Sequence, residues 1–247
     1  MRKKRLFEDR VEEAMIELKE KKRVAPIDYR TEPGQPMVFD LILDVSSSVR
    51  DHYELMTLFN EQIIPPLYSA IERYHSATRL GCVLFSHRLV PAWKGFKKPQ
   101  ELGPAPLNHT MFNRPARLQD STALYRAMQQ GILWTTAAVK ALDETSQGNM
   151  PYGRIIVLTD GVNNASPHRY KAIPILMKNA NDPYDFLKGS LFCLKTENGL
   201  SENQFQALGD VTSFKPIDFD TLVTQEASRG RMINLFRSAF SSKGLTY

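Results

Sequence analysis

The sequence predicts an α/β fold built on a doubly wound, mainly parallel sheet of six strands, with one antiparallel edge strand and helices on both faces. Two observations predict this fold. From Met37 onwards, short apolar runs alternate with longer segments of helical pattern, which is typical of parallel strands covered by helices on both faces. One of the runs, RLVPAW, is short and contains a proline, so we assign it to the edge of the sheet.

Length and composition allow one such domain with an appended segment. The chain has 247 residues, 42% of them hydrophobic, and a formal net charge of +5, a mild excess that excludes no class of partner. No apolar run reaches the roughly 18 residues of a membrane span, and the basic start MRKKRLFEDRVEEAM is followed by no apolar signal region. Both cysteines lie inside strand-like runs. We therefore expect a cytoplasmic protein with no disulfide framework and no membrane partner.

The first segment, residues 1–36, is predicted to be a charged amphipathic helix followed by a linker. Phe7, Val11, Met15 and Leu18 recur at helical spacing among dense charges, and the stretch APIDYRTEPGQP that follows contains three prolines and a glycine. The apolar stripe of this helix can either dock on its own domain or bind a partner. The sequence leaves both interpretations open.

Residues 37–247 form the predicted α/β domain. Its strands are predicted at MVFDLILD, RLGCVLFS, RLVPAW, RIIVLTD, SLFCLKT and VTSFKPI. Its helices are predicted over 51–73, 121–143 and 219–242, with a shorter one in ENGLSENQFQALG. Residues 95–118 contain many prolines and glycines and are predicted to be a long loop, which in a compact domain is commonly functional or disordered.

Three polar stretches lie at the edge where an open α/β sheet binds its ligands. They are DVSSS after the first strand, the DST of QDSTALYRAM and the DG of VLTDGVNN. Each alone has a local explanation, as a helix N-cap or an Asp-Gly turn. Together, Asp44, Ser46, Ser48, Thr122 and Asp160 offer only oxygen ligands, the set that suits a hard divalent cation. We therefore predict a magnesium site, with Mn²⁺ as the alternative ion.

These residues resemble the metal-ion-dependent adhesion site of von Willebrand factor A domains, which is written Asp-x-Ser-x-Ser, then a Thr, then an Asp. Every position of that motif is matched here. The matching residues are Asp44, Ser46, Ser48, Thr122 and Asp160. The resemblance covers roughly residues 37–242 and implies a Rossmann-like fold. One departure is Asp120, where many relatives have glycine; an extra acid there could lower the affinity for an acidic partner, but we interpret it as a helix cap.

The resemblance also implies how such a site would work. In the family, the serines and the threonine contact the metal directly and the aspartates act largely through water, so a carboxylate of a partner can complete the shell of the metal. It therefore implies a non-enzymatic adaptor whose partner is a protein that presents an Asp or Glu. Without a secretory signal, the chain is most similar to the bacterial and phage intracellular type, whose members often work beside ATPases, kinases or proteases in stress and defence systems.

Selection of the partner is assigned to the loop 95–118, because a metal ion attracts any carboxylate and cannot choose between partners. The residues predicted to bind the partner are Phe96, His109, Phe112 and Arg114. Aromatic and arginine side chains such as these are the usual anchors of protein interfaces.

Two other functions compete with this prediction. A phosphatase of the haloacid dehalogenase type also has an Asp at the end of its first strand, but it needs a second carboxylate two residues later, where this chain has Ser46. Nucleic-acid binding is the second alternative, because basic and aromatic residues alternate in and beside the loop 95–118 and could clamp a single strand. These residues are Lys94, Lys97, Lys98, Arg114 and Arg117, with Trp93, Phe96 and Phe112.

Overall fold

A computed structural model describes residues 36–46, 78–102, 122–143, 151–163, 170–182, 186–193, 201, 203–204, 208 and 214–218. The strands in these ranges are Met37–Asp44 (β1), Arg79–Phe85 (β2), Leu89–Pro91 (β3), Tyr152–Thr159 (β4), Leu187–Cys193 (β5) and Phe214–Asp218 (β6). The helices are Leu124–Asp143 (α1) and Ala172–Asn181 (α2), with a 3-10 helix at Pro99–Glu101. Apart from Pro36, the predicted N-terminal helix and linker lie outside the described residues.

Within the described residues, the strands form one six-stranded sheet in the order β3-β2-β1-β4-β5-β6. The neighbours from β2 to β6 are parallel, and β3 pairs antiparallel with β2 at the edge. The predicted fold class is therefore confirmed. The chain order reverses at β1, which lies between β2 and β4, and open α/β sheets bind their ligands beyond the strand ends at such a reversal.

β1 is buried on both of its faces. All eight of its residues are buried, with Ile42 on the face that packs against α1 and Leu41 on the opposite face. This burial explains why the run is apolar on both faces apart from Asp40. Both α1 and α2 pack on the Ile42 face. The helices predicted over 51–73 and 219–242, which would cover the other face, lie outside the described residues.

α1 approaches β1 very closely at one glycine. A Cβ atom added to Gly131 would collide with Ile42 Cδ1, so the absence of a side chain permits the contact. One turn later, Thr135 Oγ1 donates a 3.3 Å hydrogen bond to Asp40 Oδ2. Apolar residues at helical spacing hold the rest of the helix on the sheet. The buried ones include Leu124, Met128, Ile132 and Val139.

α2 and the first part of β5 are not predicted from the sequence. Pro174 interrupts the helical pattern, but it lies in the first turn of α2, where backbone N–H groups have no intrahelical acceptor. β5 begins at Leu187 and not at Ser190, because Leu187 and Gly189 pair with Gly153 and Ile155 of β4. In both cases tertiary packing outweighs a weak local signal.

The outer edge of β2 is covered by the chain that follows it. β3 pairs with residues 83–85, and further along Lys97 and Leu80 exchange two backbone hydrogen bonds of 2.8 and 3.0 Å. Trp93 Nε1 also donates a 3.0 Å hydrogen bond to the Leu80 carbonyl. The start of the predicted loop 95–118 is thus attached to the sheet, while residues 103–118 lie outside the described ranges.

Within the part of the chain that the structure describes, no helix has both the length and the apolar character needed to cross a membrane.

Candidate metal centre

Asp44 and Ser46 form a tight turn where β1 ends. Asp44 Oδ1 accepts a 2.9 Å hydrogen bond from the Ser46 backbone N–H, which bends the chain out of the strand. Both residues are buried, although they lie at the edge where β1, β2 and β4 end, called here the carboxyl edge. Ser48, the third residue of the predicted motif, lies outside the described residues.

Asp160 lies on the neighbouring loop, directly after β4. Gly161 follows it with a φ of 80°, a backbone conformation that glycine adopts without strain. Asp160 Oδ1 accepts a 3.0 Å hydrogen bond from the Val162 backbone N–H. The Asp-Gly turn expected from the sequence is therefore present, and it holds the carboxylate at the carboxyl edge beside that of Asp44.

Thr122 reaches the same edge because the chain before α1 is fastened to the end of β2. The Ala123 backbone N–H donates a 2.7 Å hydrogen bond to the Ser86 carbonyl, and the Val45 N–H donates a 2.8 Å bond to the Phe85 carbonyl. The end of β2 therefore connects the Asp44 turn to the Thr122 segment. Thr122 is buried, with 2% of its surface exposed.

Thr159 is a functional candidate that the sequence motif does not include. Its hydroxyl donates a 2.7 Å hydrogen bond to Asp44 Oδ2 and accepts a 3.0 Å bond from the Gly161 N–H. One side chain thus joins the first carboxylate to the turn that carries the second. No local sequence signal pointed to Thr159, because only the register of β1 with β4, in which Leu43 pairs with Leu158, brings the next residue of β4 beside Asp44.

Asn163 makes a further connection between the loops. Its Oδ1 lies 3.5 Å from the Tyr125 backbone nitrogen, at the outer limit of a hydrogen bond. Tyr125 is the second residue of α1, where N–H groups need acceptors from outside the helix. The loop that carries Asp160 therefore supplies an acceptor to the helix that follows Thr122.

The electrostatics of this edge are dominated by two buried carboxylates. The pKa of Asp44 is raised to about 7, first by burial and then by the charge of Asp160, while hydrogen bonds from Thr159 and Ser46 act in the opposite direction. Two carboxylates are therefore held close together away from water, and a divalent cation would offset their repulsion. The donors that are described are oxygens of Asp44, Ser46, Thr122 and Asp160, which fit Mg²⁺ or Mn²⁺.

Hydroxyl oxygens are essential to this assignment. Among the described residues, no group of three or more His, Cys, Asp or Glu side chains is arranged to hold a metal ion. A cation held at this edge would have two carboxylates and would also need the neutral hydroxyls, which would leave more of its positive charge available to a further ligand.

The predicted partner-binding residues lie away from this edge or outside the described ranges. Phe96 is half-buried and packs against the core, where a Cβ added to Gly81 would lie 2.5 Å from its ring. Gly81 pairs with Asp40, so Phe96 lies level with Asp40. Asp40 is four residues, or about 13 Å, from Asp44 along β1. This position gives Phe96 a packing role, and its predicted contact with a partner stays a prediction. His109, Phe112 and Arg114 lie outside the described residues.

Some of the basic residues on which the nucleic-acid alternative depends are described by the structure. They also lie near the start of β2, away from the carboxyl edge. Lys97 pairs with Leu80, near the start of that strand, and its Nζ lies 3.8 Å from Glu101 Oε2. Lys94 and Lys98 are exposed nearby. These cations are therefore separate from the metal centre, and nucleic-acid binding by the loop stays a prediction.

Solved structures share this fold. A von Willebrand factor type A protein from Catenulispora acidiphila matches with a TM-score of 0.56 at 11% identity, over 83% of this chain and 43% of that one. The fold is von Willebrand factor A-like. Proximal thread matrix protein 1 from the mussel byssus matches with a TM-score of 0.53 at 12% identity, over 84% of this chain and 49% of that one. The pilus adhesin SpaC from Lactobacillus rhamnosus GG matches with a TM-score of 0.50 at 13% identity, over 85% of this chain and 30% of that one.

These similarities establish the fold alone, because the sequence identities are low. The chain spans less than half the length of each of the three solved chains. No protein-family model matches the sequence, and no curated protein matches it.

Proposed function

We propose that this chain is a non-enzymatic adaptor that binds a partner protein through a divalent cation, Mg²⁺ with Mn²⁺ as the alternative. One observation carries the proposal. Three segments that are remote in the sequence end or begin at one edge of a von Willebrand factor A-like sheet, and they carry Asp44 with Ser46, Thr122 and Asp160, whose side chains bear carboxylate and hydroxyl oxygens. Hydrogen bonds hold these segments together.

Asp44, Ser46, Ser48, Thr122 and Asp160 would hold the cation. When bound, the cation supplies an incompletely neutralised positive charge that an Asp or Glu carboxylate of the partner can ligate. The protein contributes the fixed positions of its own donors: Ser46 through its turn with Asp44, and Asp160 through its bond with Val162. Donors held in this way need no ordering when the partner arrives, which favours affinity.

An adaptor explains the residues at this edge better than a phosphatase does. Phosphoryl transfer to an aspartate would need a second carboxylate two residues after Asp44 as general acid and base. That position is Ser46, whose backbone N–H is bonded to Asp44 itself. We therefore assign Asp44 to metal binding and assign no catalytic residue.

For the partner we propose a protein that presents an Asp or Glu. The resemblance of the motif to bacterial and phage von Willebrand factor A domains supports a cytoplasmic setting, in a bacterial multi-component system of the stress or defence type with ATPase, kinase or protease subunits. SpaC, a pilus adhesin with the same fold, is an example of this fold in an adhesive protein.

Titration calorimetry with Mg²⁺ tests the metal centre. The parent should bind one ion, and the double variant Ser46→Ala/Ser48→Ala should bind none while keeping its far-ultraviolet circular dichroism. Thr136→Val is the matched control, because its hydroxyl bonds to the Ile132 carbonyl within α1 and should leave the affinity unchanged. Equal Mg²⁺ affinity in the parent and the double variant would overturn the assignment.

A further inference from the structure

We propose that three exposed cations at the carboxyl edge select a partner segment that carries several acidic residues. The three residues are Arg88, Arg126 and Lys171, called here the cationic arc. One acidic residue of the segment would reach the metal centre, and its neighbours would pair with the arc. The inference rests on the proposed function and specifies the partner as an acidic peptide segment.

Arg88 is placed beside the metal centre by the turn that joins β2 to β3. The turn begins at Ser86, which is buried and whose carbonyl accepts the hydrogen bond from Ala123. The Ser86 N–H in turn donates a 3.0 Å bond to the Arg88 carbonyl, which closes the turn. Because Phe85 pairs with Asp44 and Ser86 is bonded to Ala123, this turn lies next to both the Asp44 and the Thr122 segments. Arg88 is exposed at its end.

Arg126 lies in the first turn of α1, four residues after Thr122. Leu124 and Tyr125 are buried on the sheet, whereas Arg126 is exposed. The first turn of α1 contains no acidic residue, although acids are the favoured charges at a helix start. The beginning of α1 therefore adds positive charge beside Thr122.

Lys171 lies at the same edge, directly before α2. The other end of α2 is fixed at the start of β5, because the Asn181 side chain exchanges two 2.8 Å hydrogen bonds with the Leu187 backbone. The helix start must therefore lie at the carboxyl edge. The rings of Tyr170 and Tyr125 are 6.2 Å apart, which brings the starts of the two helices side by side. Lys171 is exposed.

The arc and the metal centre also share one face of the sheet. The Asp44 side chain points to the same face as those of Ile42 and Asp40, since successive strand residues alternate. Ile42 and Asp40 contact α1, and α1 and α2 pack together on that face. A segment bound over Asp44 would therefore pass the starts of both helices.

Charge at the two edges of the sheet differs in a way that fits this proposal. Among the described side chains at the carboxyl edge, the exposed charged ones are the three cations of the arc, and the acids Asp44 and Asp160 are buried. The opposite edge carries exposed charges of both signs. Its exposed acids include Glu101, Asp143 and Asp182. Potentials of one sign around a site steer oppositely charged partners and reject others.

An acidic peptide suits this edge better than a nucleic acid does. Single strands bind by stacking bases on exposed aromatic faces as well as by charge. The aromatic residues described beside the arc are Tyr125, which is buried, and Tyr170, which is half-buried and packs against it. The edge therefore offers spaced cations and no described aromatic platform.

The test compares two synthetic peptides of equal length in Mg²⁺ by fluorescence anisotropy. One has a single aspartate among glycines and serines, and the other has that aspartate flanked by glutamates. The parent should bind the glutamate-flanked peptide more tightly. Arg88→Glu, Arg126→Glu and Lys171→Glu should each weaken it by about three- to tenfold at low salt, while Mg²⁺ affinity by calorimetry should not fall and binding of the single-aspartate peptide should weaken less. Lys94→Glu and Lys178→Glu reverse exposed cations elsewhere and should have little effect.

The outcomes separate the arc from the metal centre. If chelation by EDTA abolishes binding but the arc variants behave like the controls, the proposed function stands and the arc is overturned. If EDTA leaves both peptides bound while the arc variants weaken the glutamate-flanked peptide, the metal-dependent function fails and the arc stands. The arc is overturned if the parent shows no preference for the glutamate-flanked peptide. It is also overturned if the three arc variants weaken binding of a thymidine oligonucleotide but of neither peptide.

Discussion

Asp40 is a carboxyl group buried in the middle of β1, far from the donors of the metal centre. It is 1% exposed and accepts a hydrogen bond from Thr135, and its Oδ1 lies 2.9 Å from the place of a Cβ on Gly81. Burial raises its pKa to about 7, against the smaller opposite effect of the Thr135 bond. Glycines on β2 and α1 thus leave room for a carboxyl group that water does not reach.

We predict that Asp40→Asn stabilises the protein increasingly as the pH rises. Since the folded-state pKa is above the unfolded value, the unfolded chain releases this proton first. Asp40 therefore costs stability progressively between about pH 4 and pH 7, and the cost is constant above that range. The difference in unfolding free energy between Asp40→Asn and the parent should grow by about 2 to 3 kcal/mol from pH 5 to pH 8. Urea unfolding at both pH values measures it.

Asp143→Asn, at the exposed end of α1, serves as the control for loss of a surface carboxyl. A difference between Asp40→Asn and the parent that stays constant with pH would show that Asp40 does not titrate in the way its burial implies.

Thr159 joins two parts of the candidate metal centre, because its hydroxyl donates to Asp44 and accepts from the Gly161 N–H. Thr159→Val keeps the shape of the side chain and removes both bonds. We expect Mg²⁺ affinity to fall roughly 10- to 100-fold, the usual effect of losing an outer-shell partner. Thr159→Ser should recover most of the affinity, and calorimetry measures both. Full Mg²⁺ affinity in Thr159→Val would contradict this role.

At the scale of elements, α1 fixes the position of Thr122 through its contact with β1. The contact is closest where Gly131 meets Ile42, and the bond from Thr135 to Asp40 lies one turn further along. Packed interiors respond strongly to one added methyl group. A shift of α1 on β1 would move Thr122 relative to Asp44, so packing in the core and geometry at the edge are coupled.

A double-mutant cycle tests this contact. Gly131→Ala raises helix propensity by about 1 kcal/mol, yet we expect it to destabilise the protein, because overpacking a core costs about 1 to 3 kcal/mol. Ile42→Val removes the Cδ1 atom that the new methyl group meets and should relieve the strain. The coupling energy from denaturant unfolding should then exceed about 1 kcal/mol. Additive effects of the two substitutions would mean that α1 and β1 have more space here.

At the scale of the whole molecule, several loops remote in the sequence act as one unit. The end of β2 bonds the Asp44 and Thr122 segments, and Thr159 and Asn163 join the Asp160 loop to Asp44 and to α1. A ligand that binds this unit binds the folded chain and not the unfolded one. Its binding energy therefore adds to the stability of the whole fold.

We therefore expect Mg²⁺ to raise the melting temperature of the parent. A concentration 100 times the dissociation constant corresponds to about 2.7 kcal/mol, or several degrees for a chain of this size. The variant Ser46→Ala/Thr122→Ala should melt at the same temperature with Mg²⁺ or EDTA. A Mg²⁺-induced rise in this variant equal to that of the parent would place the ion elsewhere on the molecule.

The sequence by itself determined the fold class and the residues that end the central strands. Apart from Asp40, the run MVFDLILD is apolar up to Leu43 because β1 is buried on both faces. The acids and hydroxyls of DVSSS and TDG follow at the strand ends, the edge where open α/β sheets bind their ligands. These signals are local, since each depends on a few consecutive residues. The extent of β5, the existence of α2 and the packing of Phe96 were weak or absent as local signals.

Only the tertiary structure decided which side chains meet. The register of β1 with β2 and β4 places Phe85 and Thr159 beside Asp44, and the bond from Ala123 to Ser86 brings Thr122 to the same edge. The close approach of α1 through Gly131 buries Asp40, and the directions of α1 and α2 bring Arg126 and Lys171 to the edge that Arg88 shares. Residue spacing cannot encode these contacts, because strand register and helix approach depend on how residues far apart in the chain pack together.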